Sequence, residues 1–455
     1  MKKIRIILLS GGSGKRLWPL SNGVRSKQFL KLLRAPNGEF ESMVQRIVRQ
    51  INEAKLDVSI TIATGASQKD AIINQLGSSV EIVTEPERRD TFPAIALASM
   101  YLLKEKQCPR DEVAVVMPID PFTELGYFEV IKKMAEASDT GLADLVLMGI
   151  SPTEPSSKFG YIVPAEINKD GSMMVSRFAE KPDRASAEKL ISDGALWNGG
   201  VFAFKLGYME DIVKKYFQAD TFEEYRANYN KFPKISFDYE VAEKADSIAA
   251  IPFCGKWKDL GTWNSLTEEM SDTTVGNAVM AYSENSNVIN ELEMPVVALG
   301  LKDIVVSASL DGILVSDKSA SVELKNYVDN LTQRPMFEER RWGAYKVIDY
   351  NVHKEGHKTL TKHLILRDGC GISYQRHKCR EEIWTFVSGT GALVIDNQIR
   401  KVSFGDVVRI KPNQMHAIRA LGDLHIIEVQ IGTELTEEDI ERFDYDWDSA
   451  LKSLE

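Results

Sequence analysis

Through its first 260 residues the chain alternates short, apolar, β-branched runs with amphipathic stretches, and after about residue 277 the amphipathic stretches almost cease. The runs are IRIILLS at 4–10, VSITIAT at 58–64, VEIVTE at 80–85, EVAVVMP at 112–118 and LVLMGI at 145–150. Stretches of helical period lie between them at 43–51, 68–76, 94–104 and 128–138. Strand–helix–strand alternation predicts a doubly wound, Rossmann-like α/β sheet, whose ligands bind where loops leave the carboxyl ends of the strands. From 277 the pattern becomes short β-rich segments (NAVMAYS, NVINEL, PVVALGL, DIVVSAS, GILVSD), closed by a helix predicted over 319–329. After a polar stretch at 330–341, residues 342–435 hold alternating strands with Gly-rich turns, and an acidic helix is predicted in TEEDIERF at 436–443. That is the pattern of an all-β barrel or jelly roll. The expected domains are therefore 1–275 (α/β), 276–335 (a β-rich, β-helix-like appendage and linker) and 336–455 (all-β).

Charge excludes whole classes of partner. Against 66 acidic residues stand 56 Lys and Arg, a net charge of −10, so no bulk basic field draws nucleic acid or anionic lipid. No apolar run approaches the length of a membrane span, and the run at 6–9 is too short for a signal-peptide core, so a cytoplasmic location is expected. The four cysteines are scattered with no CxxC pair and read as reduced thiols. All six histidines follow residue 350. Whatever the first 350 residues catalyse must use carboxylates, Lys, Arg and backbone groups, whereas the last hundred offer imidazole to a transition metal.

Directly after the first strand comes GGSGKRLWPLS at 11–21. A glycine-rich turn there lets backbone approach phosphate oxygens. It is neither a Walker A loop, because Leu9 and Arg16 stand where Gly and Ser/Thr are required, nor a dinucleotide GxGxxG, because Leu17 stands at the third glycine. What remains is a turn followed by Arg16, with Lys27 in SKQFL shortly after: two cations suited to the charge that builds on a triphosphate under attack.

GGSGKRLWPLS followed by KQFL resembles the sugar-1-phosphate nucleotidyltransferases, and LWPLS more narrowly the mannose-1-phosphate guanylyltransferases. The resemblance continues in EPERRDTFPAIALAS (85–99), MPID (117–120), FAEKP (178–182), WNGGVFAF (197–204) and WKDLGTW (257–263). It implies transfer of a nucleotidyl group from GTP to mannose 1-phosphate, giving GDP-mannose and pyrophosphate. Arg16 and Lys27 would bind the triphosphate and stabilise the transition state, and Gly11, Gly12, Gly14 and Arg89 would contact the nucleotide. Asp120, counted with Arg16 and Lys27 as catalytic, and Asp259 would hold Mg2+. Glu180, Lys181, Asn198 and Gly160 would take the sugar phosphate. The bottom-up reading agrees for the aspartates, since Asp120 ends a predicted strand, Asp259 lies in a Gly-flanked loop, and magnesium prefers hard carboxylate and phosphate oxygens. Departures from the family pattern are Lys15 for Thr, Ser26 for Pro, Asp90 and Phe92 for Asn and Ala, and Pro121 for His.

In GISYQRHKCREEIWTFVSGTGALVIDN, Gln375 and His377 fall on one side of a predicted strand, with Glu382 beyond them and His416 34 residues further on. Two imidazoles, a carboxylate and an amide oxygen suit zinc or another first-row divalent ion. The arrangement resembles the cupin metal motif and the type II phosphomannose isomerase domain fused to bacterial guanylyltransferases, with RRWGAYKVID resembling that domain's leading segment. Ile383 replaces the His that usually follows the Glu. His353, His357, His363 and His425 are given ordinary surface or core roles. Alternatives stay open: a bifunctional enzyme with an isomerase domain, a transferase for another base or sugar with a non-catalytic cupin, or a silent nucleotide-sugar sensor. A homodimer is common in what the chain resembles.

Overall fold

A computed structural model describes residues 3–11, 14–169, 171–331, 333–354, 356–436 and 438–452. Among the described residues the five apolar runs all form strands: β1 (Ile4–Ser10), β2 (Val58–Gly65), β3 (Glu81–Glu85), β4 (Val113–Pro118) and β5 (Leu145–Ile150). The amphipathic stretches form α1 (Met43–Glu53), α2 (Lys69–Leu76), α3 (Thr91–Met100) and α4 (Gly126–Thr140). α1 begins with a capping box in which Ser42 accepts from the Gln45 N–H and Gln45 returns the bond, a device contributing about 1 kcal/mol.

With β6 (Tyr161–Ile167), β7 (Met173–Ala179), β8 (Leu196–Lys205) and β9 (Ile248–Phe253), these strands build one nine-stranded sheet in the order β3-β2-β1-β4-β8-β5-β9-β7-β6. The period-2 pattern of β1 explains its two covered faces. Ile4, Ile6 and Leu8 join α1 residues such as Val44, Ile47 and Ile51, whereas Ile7 joins Phe92, Ile95 and Leu97 of α3 on the opposite side. Each such side chain removed from water contributes roughly 1.5–3 kcal/mol. The sheet is not wholly parallel: β8 runs antiparallel to both β4 and β5, and β7 is antiparallel to β6 and β9. Of these pairs, β6 and β7 are joined directly, without a helix between them, as an antiparallel pair allows.

Beyond it, β10 (Thr274–Gly276), β12 (Asn287–Asn290) and β14 (Ile304–Ser309) stack in parallel, as do β11 (Ala278–Ala281) and β13 (Val296–Leu299). This is coil-on-coil pairing, ended when β15 (Gly312–Asp317) turns back antiparallel on β14. A 3-10 turn, Ala320–Glu323, runs into the short helix α5 (Leu324–Val328).

The C-terminal part is two facing sheets. One contains β16 (Phe337–Arg340), β17 (Gly343–Val352), β18 (Lys358–Leu366), β20 (Arg380–Ser388), β23 (Val407–Ile410) and β25 (Leu424–Gly432), in the order β16-β17-β18-β25-β20-β23. The other contains β19 (Gly371–Arg376), β21 (Thr390–Ile395), β22 (Gln398–Ser403), β24 (His416–Ala420) and β26 (Glu441–Phe443), in the order β22-β21-β24-β19-β26. Among the described residues, no helix forms at 436–443, where an acidic helix is expected. Residues 441–443 form β26 on β19 instead, and Asp439 is drawn into side-chain and backbone bonds at 377–380 that a helix would not allow. The polar stretch 330–341 likewise contains β16, not linker alone. The barrel is fastened to α2 by three bonds: Asn74 donates to the Arg340 carbonyl at 3.0 Å, the Arg341 N–H to Asp70 at 3.1 Å, and Arg367 to Asn74 at 2.6 Å. No described helix is long and apolar enough to cross a membrane.

Candidate active site

The loop after β1 and the loop after β4 open on a cavity of about 430 Å³ at the carboxyl edge of the sheet, lined by Gly11, Gln28, Glu85, Arg89, Asp90 and Asp120, among others. Gly14 lets the first loop lie on its neighbour, because a Cβ there would sit 2.8 Å from the Ser26 Cα. That contact sets the position of Lys27 in the 3-10 turn Lys27–Phe29. Behind it, Gln68 donates to Ser26 at 2.6 Å and accepts from Ser10, Gln28 and Thr64, fixing the cavity floor with a buried polar network. Gly12 lies outside the described residues.

Two short strands, Pro121–Thr123 and Trp257–Asp259, pair so that Asp259 faces Pro121. This ladder delivers Asp259 to Asp120, and Lys27 bridges them: its Nζ is 2.7 Å from Asp120 and 3.7 Å from Asp259. Burial lowers the Lys27 ammonium's proton affinity, but the two carboxylates outweigh it and raise the pKa. Burial also opposes ionisation of Asp120, and Lys27 reverses it, leaving Asp120 below its ordinary value. Asp259 ends above its ordinary value because burial and the Asp120 charge outweigh its more distant Lys27. Both carboxylates stay reachable, with a third or more of each side chain open. Two convergent carboxylates, of which Asp120 lines the cavity, fit a magnesium ion, which would keep waters and phosphate oxygens in its other positions. Arg16 is exposed on the same loop, and its side chain makes no hydrogen bond or ion pair among the described residues.

Gly160, Glu180 and Asn198 are also gathered. The Asn198 N–H donates to the Gly160 carbonyl at 2.8 Å, and a Cβ at Gly160 would strike Glu180 Oε2 at 2.4 Å. Lys181 pairs with Glu180. Trp197, Phe159 and Trp257 form an aromatic wall, with centroid separations of 4.9 and 5.4 Å. Sequence reasoning missed Asp238, whose Oδ1 accepts from the Asn198 amide at 2.6 Å. Burial, reinforced by Glu180, pushes its carboxyl up to about 6. No local spacing signals it, since the Ser236-capped turn that presents it reads as surface. Of the departures, Phe92 is buried against Tyr216 and Phe232, away from the cavity, whereas Asp90 caps α3 on the cavity wall at φ +72°. Arg89 lines the same cavity, tethered to Glu87 and the Phe232 carbonyl.

In the barrel His377, Glu382 and His416 bring their ligand atoms together, whereas Gln375 stands beside them with its amide nitrogen toward His377 and its oxygen accepting from Ser373 at 3.0 Å. His377 Nε2 is 3.2 Å from Glu382 Oε1, His416 Nε2 is 3.7 Å from Glu382 Oε2, and the Gln375 amide is 3.4 Å from His377 Nε2; all are buried. The far nitrogens are committed, His377 Nδ1 to the Asp439 carbonyl at 2.7 Å and His416 Nδ1 to the Gln414 carbonyl at 3.0 Å. That fixes tautomers with both Nε2 lone pairs aimed inward, as metal-binding histidines are held. Burial lowers both imidazole pKa values. Burial opposes ionisation of Glu382, but His377, His416 and Arg380 around it prevail and hold its carboxyl low, at about 2. His416 Nε2 is buried with no hydrogen-bond partner, a cost of about 1–3 kcal/mol that a divalent cation removes. The donor set therefore fits a first-row metal. Arg380 Nε donates to Glu382 Oε1 at 3.0 Å and Trp384 Nε1 to Oε2 at 3.1 Å, so both carboxylate oxygens are held in place facing the histidines. Ile383 alternates to the other side of β20, so replacing a His there leaves the ligand set intact.

Gln375 and Glu382 line a cavity of about 620 Å³, together with Lys362, Glu428, Arg442 and Gln430. Burial, with Glu382 beside it, pushes the Glu428 carboxyl up to about 8. His363 and His425, expected to be isolated, meet at 3.1 Å elsewhere on the barrel.

The comparisons with known proteins agree with this geometry. A family model described as nucleotidyl transferase matches residues 5–275, and one described as mannose-6-phosphate isomerase C-terminal matches 329–445. The mannose-1-phosphate guanylyltransferase of Escherichia coli K12 is 30% identical, covering 97% of this chain and 98% of that protein. The alginate biosynthesis protein AlgA of Pseudomonas putida is 31% identical, over 96% of this chain and 95% of that protein. A crystal structure from Thermus thermophilus titled mannose-1-phosphate geranyltransferase superposes with a TM-score of 0.60 at 28% identity, covering 73% of this chain and all of that one. The chain belongs to the nucleotidyl transferase family, in the branch of mannose-1-phosphate guanylyltransferase and AlgA proteins that carry a mannose-6-phosphate isomerase C-terminal domain.

Proposed function

We propose that the chain transfers a guanylyl group from GTP to mannose 1-phosphate, releasing pyrophosphate. The observation that carries this is the Lys27 ammonium bridging Asp259 and Asp120, the latter lining a nucleotide-sized cavity. The sugar phosphate oxygen attacks the α-phosphorus, the bond to the bridging oxygen breaks in line, and the protein's task is to position and neutralise two polyanions. Lys27 and Arg16 hold the triphosphate, Gly11, Gly12, Gly14 and Arg89 line the nucleotide, and Glu180, Lys181, Asn198 and Gly160 orient the sugar phosphate. Mg2+ on Asp120 and Asp259 would supply charge neutralisation at the reacting phosphates.

We further propose that Gln375, His377, Glu382 and His416 hold zinc or another first-row divalent ion, and that the barrel interconverts mannose 6-phosphate and fructose 6-phosphate. The metal would polarise the carbonyl oxygens. Glu428, lining the same cavity, is the carboxylate placed to move a proton between adjacent carbons. Working domains are 1–275, 276–335 and 336–455. A cytoplasmic homodimer is the proposed assembly, supported by exposed Val387, Phe404 and Val407 beside the edge strand β23.

A pyrophosphate-release screen of the four nucleotides against a panel of sugar 1-phosphates tests the transferase. GTP with mannose 1-phosphate should be the preferred pair, and turnover with a different pair alone rejects the assignment. For the barrel, isomerisation of mannose 6-phosphate should disappear with Glu382→Gln.

A further inference from the structure

The glycine-rich loop carries two adjacent cations, and only one of them is available to a ligand. Lys15 Nζ donates to three main-chain carbonyls at the end of α5: Val328 at 3.3 Å, Asp329 at 3.0 Å and Leu331 at 3.4 Å. Carbonyls at a helix C-terminus have no intrahelical partner and carry partial negative charge, so an ammonium there is held by both geometry and dipole. Arg16, one residue on, is exposed and unpartnered among the described residues.

The far flank of the loop is fixed to the same appendage. Ser309 donates to the Pro19 carbonyl at 2.9 Å, Asn22 donates to Asp311 at 2.6 Å, and the Trp18 ring covers Gly312, where a Cβ would come within 2.4 Å of it. The loop is thus clamped at both ends by residues from the β-helix-like segment, and Lys15 is the clamp nearest the reacting phosphates.

We propose that Lys15 is a positioning residue for nucleotidyl transfer: it binds no phosphate itself but ties the loop to the C-terminal end of α5, so that Arg16 is presented to the triphosphate. The proposal rests on the transferase reading, and it makes the appendage part of the catalytic apparatus. A lysine directly after a glycine-rich turn would otherwise be read as a phosphate ligand. The three carbonyls decide against that.

The test uses the full chain and four variants: Lys15→Gln, Lys15→Arg, Val328→Ala, and Lys15→Gln combined with Val328→Ala. Val328 is buried in the core that α5 shares with Leu17, and shortening it loosens α5 while leaving the Lys15 side chain in place. Lys15→Gln should raise KM for GTP about three- to tenfold, leave KM for mannose 1-phosphate unchanged, and speed amide hydrogen exchange over residues 14–21. Lys15→Arg, which can still donate to the carbonyls, should restore both readouts. Val328→Ala should reproduce a smaller part of the effect and add nothing in the Lys15→Gln background, since both act through one contact. A raised KM with unchanged loop exchange and additive effects would mean that Lys15 touches the nucleotide, and would overturn the proposal, as would no effect at all. If the wild-type chain turns over no nucleotide, the transferase reading falls, and hydrogen exchange alone then decides whether Lys15 fastens the loop.

Discussion

Lys27 and Asp120, far apart in the chain, lie 2.7 Å apart as an ammonium–carboxylate pair, with Asp259 1 Å further from the same nitrogen. Without ligand, the cation neutralises carboxylates that would otherwise repel each other. Under the proposed function, magnesium held by the carboxylates would leave the ammonium to pair with phosphate. Lys27→Met should therefore lower kcat by about 10²–10³. Asp259→Asn should do likewise and raise the magnesium concentration needed for half-maximal rate. Steady-state pyrophosphate release across a magnesium titration measures both.

Asp238 gives a pH signature. Its ordinary value is near 3.8, and in the fold it is pushed up to about 6, by burial and then by Glu180. A raised carboxyl pKa means that the folded state binds more protons than the unfolded one between those values, so stability falls as pH rises from about 4 to about 6 and is level above. Because the side chain is only partly enclosed, the loss is discounted to about 1–2 kcal/mol. Asp238→Asn, which can still accept from Asn198, should match wild type at about pH 4 and exceed it by that amount at neutral pH. Denaturant unfolding at a series of pH values checks this.

Metal in the barrel depends on an orphan nitrogen. Protein purified without chelator should contain about one first-row divalent ion per chain, by elemental analysis, and His416→Ala should lose it. The transferase activity should be unchanged, since no barrel ligand lines the nucleotide cavity.

Gly312 meets the Trp18 ring at φ +151°, where a side chain is both strained and obstructed. Gly312→Ala should displace Trp18, lower stability by about 1–3 kcal/mol and raise KM for GTP. Thermal unfolding alongside kinetics separates the two effects.

Much of this was legible in the sequence because it is local. Short apolar, β-branched runs located five of the nine strands of the α/β sheet, and the loops after them drew attention to Gly11, Lys27 and Asp120. Gln375 and His377 fell on one face because a strand places i and i+2 together. What escaped was non-local. Asp238 reaches Asn198 through tertiary packing, His363 meets His425 across paired strands, and Lys15 finds its carbonyls more than three hundred residues later. The acidic segment 436–443 had helical composition, yet tertiary demand for Asp439 and the β19 edge overrode its propensity.

The most direct measurement is the rate of pyrophosphate release by the full chain with GTP, mannose 1-phosphate and magnesium, compared with Lys27→Met under the same conditions. Turnover that requires all three components and falls at least a hundredfold in the variant is the predicted result. Equal rates in wild type and variant would contradict the account.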